Sequence, residues 1–111
     1  MLDGIKLAPI VIFVYNRPCH TQKTIEALKK NDLALGSNLY IYCDAPKSSA
    51  DQIEVKKVQD YIHSVDGFNK VTIVKRAKNW GLACSIIDGV KKIVNRYGKV
   101  IVLEDDLVKN N

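Results

Sequence analysis

The chain of 111 residues has room for one domain with a modest core, and its 47% hydrophobic and 26% charged residues are the profile of an ordinary soluble globular protein. The net charge of +5 comes mainly from lysines scattered along predicted helices, without Arg-rich runs or interleaved aromatic residues, so we expect no nucleic-acid partner. Three widely spaced cysteines, no signal-peptide pattern and no apolar stretch of membrane length predict a cytoplasmic protein with reduced thiols and no cysteine metal site.

The first predicted strand is continuously apolar from Ala8 to Tyr15, a pattern typical of a strand that is covered on both faces in a parallel sheet. Pro18 cannot continue a central strand but suits the first turn of a helix. The strand is therefore predicted to end at Asn16 and Arg17. A helix follows, with Ile25 and lysines on opposite faces.

The second predicted strand runs from Leu39 to Cys43, and Asp44 sits at its carboxyl end. Ser49 to Gln52 has the form of a capping box, in which the first side chain would cap the next helix. Apolar residues then recur at helical spacing at Val55, Val58 and Ile62.

A third strand is predicted from Val71 to Lys75, followed by a polar loop that ends in Trp80-Gly81. Gly98 is a natural C-cap for the longest predicted helix. The apolar face of that helix is expected to comprise Leu82, Ile86, Val90, Ile93 and Tyr97.

The pattern is strand-helix three times and then a fourth strand, with no linker or repeat between them. It predicts parallel strands near residues 9–15, 39–43, 71–75 and 99–103, separated by three helices. The expected fold class is α/β: a doubly wound, mainly parallel, Rossmann-like sheet forming a single domain over residues 1–111.

Three adjacent carboxylates, Glu104, Asp105 and Asp106, follow the fourth strand directly. Like charges about 4 Å apart repel by roughly 1 kcal/mol even in water, so a folded acidic cluster usually has a cation nearby. In an extended chain Glu104 and Asp106 project to one side and Asp105 to the other. A divalent metal could then meet one side and a ligand hydroxyl or base the other; the alternative is an exposed acidic strand end.

Ligands of doubly wound sheets bind outside the carboxyl ends of the strands. The acidic cluster falls there, together with Tyr15-Asn16-Arg17, Asp44 and the loop from Arg76 to Trp80. Arg17 is well shaped to pair with a phosphate, although a salt bridge to Asp44 or the acidic cluster is the alternative. Asp44 could accept hydrogen bonds from a base or ribose, or cap the turn through Ala45-Pro46.

Other residues receive a structural interpretation. Trp80 is expected to pack in the core, and the cysteines are expected to be small core residues. The first strand is not followed by a P-loop or a dinucleotide-binding glycine pattern, and it does not end in the acidic residues of a receiver or haloacid-dehalogenase-like domain.

Taken together, these residues resemble glycosyltransferases of the GT-A fold, and within them the group similar to animal N-acetylglucosaminyltransferase I. The resemblance covers nearly the whole chain. It rests on the strand that ends in Tyr15-Asn16-Arg17-Pro18, on Asp44, on Asn79-x-Gly81 at the start of the third helix, and on Val-Ile-Val-Leu-Glu-Asp-Asp at 100–106. The last of these resembles that family's variant of the Asp-x-Asp metal motif.

The resemblance implies a metal-dependent transferase that uses a nucleotide-diphospho-sugar donor, with UDP the expected nucleotide. Asp106 would ligate Mn²⁺ or Mg²⁺ at the diphosphate, while Glu104 and Asp105 face the ribose and sugar. Asp44 would contact the base, and Arg17 the base or a phosphate. The donor-binding set is completed by Tyr15, Asn16 and Asn79.

Family members continue beyond the metal motif into segments that bind a glycan or other hydroxyl acceptor and carry the catalytic base. We therefore expect this chain to be the nucleotide-binding half of a longer transferase, inactive alone and able to self-associate through its uncovered sheet edge. Two other classes remain open: a metal-dependent nucleotidyltransferase or phosphoryl-transfer domain, and a non-catalytic binding module.

Overall fold

A computed structural model describes residues 7–104 and contains the predicted elements in the predicted order. The strands are β1 (Ile10–Val14), β2 (Asn38–Cys43), β3 (Lys70–Lys75) and β4 (Ile101–Glu104), and the helices are α1 (Pro18–Lys29), α2 (Gln52–Ile62) and α3 (Leu82–Tyr97). Short 3₁₀ turns at Ala34–Gly36 and Ser49–Asp51 precede β2 and α2. Gly98 ends α3 in the left-handed conformation, as predicted.

The four strands form one parallel sheet in the order β3-β2-β1-β4, which confirms the predicted fold class. Val14 pairs with Cys43, and Phe13 pairs with Glu104, so the carboxyl ends of β1, β2 and β4 lie side by side. The chain steps from β1 to β2 to β3 in one direction and then returns across the sheet to β4. Right-handed crossovers consequently place α1 and α2 on one face and α3 on the other.

The larger core lies between the sheet and the α1/α2 layer. Its fully or nearly buried residues are all of low polarity and alternate along β1 and β2, meeting Ile25 of α1 and Val58 and Ile62 of α2. The α3 face has a smaller core built on Val11, Phe13, Tyr42 and Ile93. The apolar face predicted for α3 is only partly buried, since Leu82 at its first turn is 51% exposed.

β4 forms one edge of the sheet and is thinly covered on both faces. Ile101 is 48% exposed and Val102 is 40% exposed, and these neighbours project to opposite sides of the strand. This is the surface on which the sequence predicts self-association, and the association itself remains a prediction. In the part of the chain that the structure describes, no helix is both long enough and apolar enough to span a membrane.

The cysteine expectation holds at one position of three. All three thiols are free; Cys43 is buried at the end of β2, whereas Cys19 and Cys84 are exposed. The expectation of core packing is wrong for these two because both lie in the first turns of helices, α1 and α3, on the side away from the sheet.

Candidate functional site

The candidate site is a pocket of about 420 Å³ where the ends of β1 and β2 meet the first turn of α3. Small-molecule sites commonly have volumes of about 300–1,000 Å³, and in open α/β sheets they lie at this edge. The pocket brings together five of the residues predicted from the sequence. Its lining consists of Phe13, Val14, Tyr15, Asn16, Arg17, Tyr42, Asp44, Lys47, Asn79, Gly81, Leu82 and Ser85.

One wall of the pocket is held by Asp51, which lies inside the predicted capping box of residues 49–52. The Tyr15 hydroxyl donates a short hydrogen bond to the Asp51 carboxylate, and Asn16 Nδ2 donates another at 3.1 Å. The Tyr15 hydroxyl also accepts from the backbone N–H of Lys47 at 3.0 Å. The predicted capping box is wrong: the 3₁₀ turn begins after Ser48 and α2 after Asp51, and neither has a side-chain cap.

These bonds shift the acidities of both partners. The hydrogen bond from Tyr15, followed by that from Asn16, lowers the pKa of Asp51 below its ordinary value. Burial, together with the hydrogen bond to the Asp51 carboxylate, raises the pKa of Tyr15. At neutral pH the pair is therefore a carboxylate and a neutral phenol, and the Tyr15 proton is held in the wall.

Asp44 forms the centre of the opposite wall and is 8% exposed. Its Oδ1 accepts from the backbone N–H groups of Ala45 at 2.9 Å and Trp80 at 2.8 Å, and its Oδ2 accepts from that of Gly81 at 2.9 Å. Gly81 has a φ of +79°, a conformation that favours glycine. The capping interpretation of Asp44 is confirmed at Ala45, and the carboxylate additionally fixes the loop that leads into α3.

The loop after β3 is tied to β2 by further bonds. The Arg76 N–H donates to the Cys43 carbonyl at 2.9 Å, and Asn79 Nδ2 donates to the Ala45 carbonyl at 2.8 Å. Asn79, predicted as a donor-binding residue, thus lines the pocket with its amide nitrogen bonded to the neighbouring loop. Its side-chain oxygen is the group through which it could meet a ligand.

Arg76 does not line the pocket, but it contacts residues on β2, on the loop after β3 and on α3. Its guanidinium lies 4.9 Å from the ring centre of Tyr42 and 3.9 Å from that of Trp80, and it pairs with Asp88 of α3 at 2.9 Å. The side chain of Arg76 is only 5% exposed. The prediction that Trp80 packs in the core is wrong: it is 42% exposed and covers the guanidinium, because a cation stacked on an indole satisfies both groups at the surface.

Positive charge reaches the pocket from two loops. Arg17 follows β1 and Lys47 follows β2, and both line the cavity. Together with Asp44 and Asn79, the lining therefore offers two cations, a carboxylate and an amide. Such an arrangement suits a ligand that carries both an anionic part and a neutral hydrogen-bonding part.

The acidic cluster begins at the same edge. β4 ends at Glu104, whose backbone pairs beside Phe13 of the pocket wall, while Asp105 and the proposed metal ligand Asp106 lie outside the described residues. Within residues 7–104 no group of three or more His, Cys, Asp or Glu is placed to hold a metal.

Three site residues were missed by the sequence interpretation: Lys47, Asp51 and Ser85. Asp51 and Lys47 lie in the loop after β2, where the carboxyl-end rule points, and could have been included on that ground. Ser85 lies inside α3, and no sequence signal distinguishes it from any other helical serine.

Comparisons with protein-family models, with curated proteins and with solved structures found no match to this chain.

Proposed function

We propose that this chain binds a nucleotide-diphospho-sugar, with UDP as its nucleotide, as the donor-binding part of a cytoplasmic glycosyltransferase. The observation that carries the proposal is the coincidence of three features at one edge of the sheet. These are a pocket of nucleotide-compatible size, two cations at its lining, and an acidic run that starts beside it at Glu104.

The proposed orientation follows from charge. The diphosphate would lie towards Arg17, since a guanidinium matches phosphate oxygens, and the base would lie deeper, near Asp44. Phosphates beside Asp44 would repel its carboxylate, whereas a base N–H could donate to a remaining lone pair on it. The resemblance to the GT-A family independently assigns the same two residues to the same ligand.

A metal fits this arrangement chemically. Mn²⁺ and Mg²⁺ prefer carboxylate and phosphate oxygens, which Asp106 and the donor would supply, with Glu104 and Asp105 facing the ribose and sugar. When bound, the ion would offset the charge that develops on the departing diphosphate. The chain's own part is to hold the donor, and we expect donor hydrolysis and transfer to sugar acceptors by residues 1–111 alone to stay at background.

The test is calorimetry of UDP binding with and without Mn²⁺. We expect Mn²⁺ to strengthen UDP binding about tenfold in the wild type, because a tenfold change in affinity is a typical coupling between two ligands. In Asp106→Asn, which lacks the proposed metal ligand, Mn²⁺ should have little effect on UDP affinity. Asp32→Asn, on the loop after α1 at the opposite edge of the sheet, removes the same charge and should keep the coupling.

The rival classes give different outcomes. Equal UDP affinity with and without metal, in both wild type and Asp106→Asn, would contradict the metal role. Metal-dependent binding of nucleoside triphosphates in preference to UDP would instead favour a nucleotidyltransferase or phosphoryl-transfer domain. Binding of no nucleotide at all would leave the non-catalytic binding module.

A further inference from the structure

The pocket lining includes two cationic side chains that are held in different ways. Arg17 lies between β1 and α1, and its carbonyl accepts from the Thr21 N–H at 2.8 Å in the first turn of the helix. Lys47 lies in the loop that follows β2, and its side chain is exposed. Among residues 7–104, no ion pair involves Lys47. Its ammonium group is therefore accessible to a ligand that enters the pocket.

The position of Lys47 depends on Asp51. The backbone N–H of Lys47 donates to the Tyr15 hydroxyl at 3.0 Å, and that hydroxyl donates to Oδ2 of Asp51. The other oxygen of the carboxylate accepts from Asn16 Nδ2 at 3.1 Å. Both oxygens are thus bonded to the residues that directly follow β1, and Asp51 itself does not line the pocket. The carboxylate ties the loop that carries Lys47 to the segment that carries Arg17.

A diphosphate is the ligand group best matched to this arrangement. It carries two neighbouring anionic centres, and the guanidinium of Arg17 and the ammonium of Lys47 are both side chains with which proteins bind phosphate. A loop that must be ordered when the ligand binds lowers the affinity, because the ordering costs free energy. Hydrogen bonds that already fix the loop in the free protein avoid that cost.

We propose that Lys47 binds the diphosphate of the donor and that Asp51 is the positioning residue that holds Lys47 at the pocket. Asp51 acts through the Tyr15 hydroxyl and does not contact the ligand. This inference rests on the proposed function, since it concerns how the same donor is held.

The sign of the mutational effect separates positioning from electrostatics. Asp51 is negatively charged, so its removal would tighten the binding of an anion if charge alone mattered. If Asp51 positions Lys47, its removal weakens anion binding instead. Because this loss acts through Lys47, it should vanish in a variant that already lacks the Lys47 charge.

The experiment measures binding of inorganic pyrophosphate without metal at pH 7, by calorimetry. The proteins compared are the wild type, Lys47→Gln, Asp51→Ala and the double variant. We expect Lys47→Gln to weaken pyrophosphate binding about tenfold and Asp51→Ala about fivefold. The double variant should bind pyrophosphate about as tightly as Lys47→Gln alone. Uridine affinity should be the same in all four proteins.

Tyr15→Phe tests the same link without changing any charge. It removes the hydroxyl that joins Asp51 to the Lys47 N–H, so pyrophosphate binding should again weaken about fivefold, and not at all in the Lys47→Gln background. Thermal unfolding of each variant sets a temperature at which binding is measured on folded protein.

The matched controls are Glu54→Ala and Lys57→Gln. These exposed residues of α2 pair with each other at 3.1 Å and do not line the pocket. Glu54→Ala removes the same charge from the same segment as Asp51→Ala, and it should leave pyrophosphate affinity unchanged or slightly tighter. Lys57→Gln should change that affinity by less than about twofold, since exposed charges are screened by salt.

Three results would each overturn the inference: wild-type pyrophosphate affinity in Lys47→Gln, unchanged or tighter binding in Asp51→Ala, or additive losses in the double variant. Mn²⁺-dependent UDP binding that persists beside any of them leaves the proposed function intact. The expected pyrophosphate pattern without any binding of UDP or uridine would support the roles of Lys47 and Asp51 and contradict the nucleotide. A wild type that binds neither pyrophosphate nor UDP would remove both proposals.

Discussion

The two faces of the sheet differ in what they bury. Beneath α1 and α2 lies a continuous cluster of low-polarity side chains, nine of them buried among the described residues. Beneath α3 only four residues form the buried cluster. Small hydroxyl residues are buried on both sides, Thr21 and Thr24 on α1 and Ser85 on α3, but the Arg76–Asp88 pair and the Tyr40–Tyr97 hydroxyl contact at 2.7 Å belong to the α3 side.

The two faces should therefore contribute differently: the α1/α2 face mainly to stability, and the α3 face to the candidate site. Apolar burial is the dominant favourable term in folding, so the α1/α2 face should carry most of the stability. The α3 face exchanges part of that burial for a pocket and for polar groups. A functional site and a fully packed core compete for the same surface of a small sheet.

The largest expected effect is a cavity in the α1/α2 core. Ile41 of β2 is 0% exposed, and Ile41→Ala should lower the free energy of unfolding by about 3 kcal/mol, since both the transfer energy and a closed cavity contribute. Ile93→Ala, at 3% exposed on the α3 face, should cost less because that face is open and can relax. Urea unfolding of both variants measures the difference, and equal losses would contradict the proposed division between the faces.

A second expected effect concerns the buried pair on the α3 face. Arg76→Met removes the ion pair with Asp88 and the contacts with Tyr42 and Trp80, and should cost about 2 kcal/mol because the partly buried carboxylate keeps only the exposed Lys92, at 3.4 Å. The fluorescence of Trp80, the only tryptophan, should change in the folded state.

The matched control for Arg76 is Lys56→Met, which breaks the exposed pair with Asp60 and should cost no more than about 0.5 kcal/mol. The double variant Arg76→Met, Asp88→Leu should recover part of the loss. A loss in Arg76→Met no larger than in Lys56→Met would show that burial adds nothing to this pair.

The smallest expected effect is a pH dependence of the pocket wall. The pKa of Asp51 is lowered in the folded protein by the bonds from Tyr15 and Asn16, so its contribution to stability is present above the ordinary carboxyl pKa of 3.8 and is lost as pH falls through the lower, folded value. The free energy of unfolding should fall less between pH 7 and pH 3 in Asp51→Asn than in the wild type. Asp32→Asn serves as the charge control, and an identical pH dependence in wild type and Asp51→Asn would rule out this role of the wall.

Local pattern was sufficient for the fold class. Continuous apolar strands, helical spacing at Val55, Val58 and Ile62, and Gly98 as a C-cap each depend on residues near in sequence, and the structure follows them closely. The rule that ligands bind at the carboxyl ends of parallel strands also predicted part of the pocket, because such strands end at a common edge. The predicted residues that line it are Tyr15, Asn16, Arg17, Asp44 and Asn79.

Only the tertiary structure decided which partner each polar group takes. Asp51, inside the predicted capping box, binds Tyr15, 36 positions earlier in the chain; Asp44 reaches the N–H groups of Trp80 and Gly81, 36 and 37 positions later. Hydrophobic periodicity repeats within a turn or two, so it is legible in sequence, whereas a hydrogen bond depends on distances that are set only when the sheet has assembled. The order β3-β2-β1-β4 set those distances, and with them the pocket at the carboxyl ends of the strands.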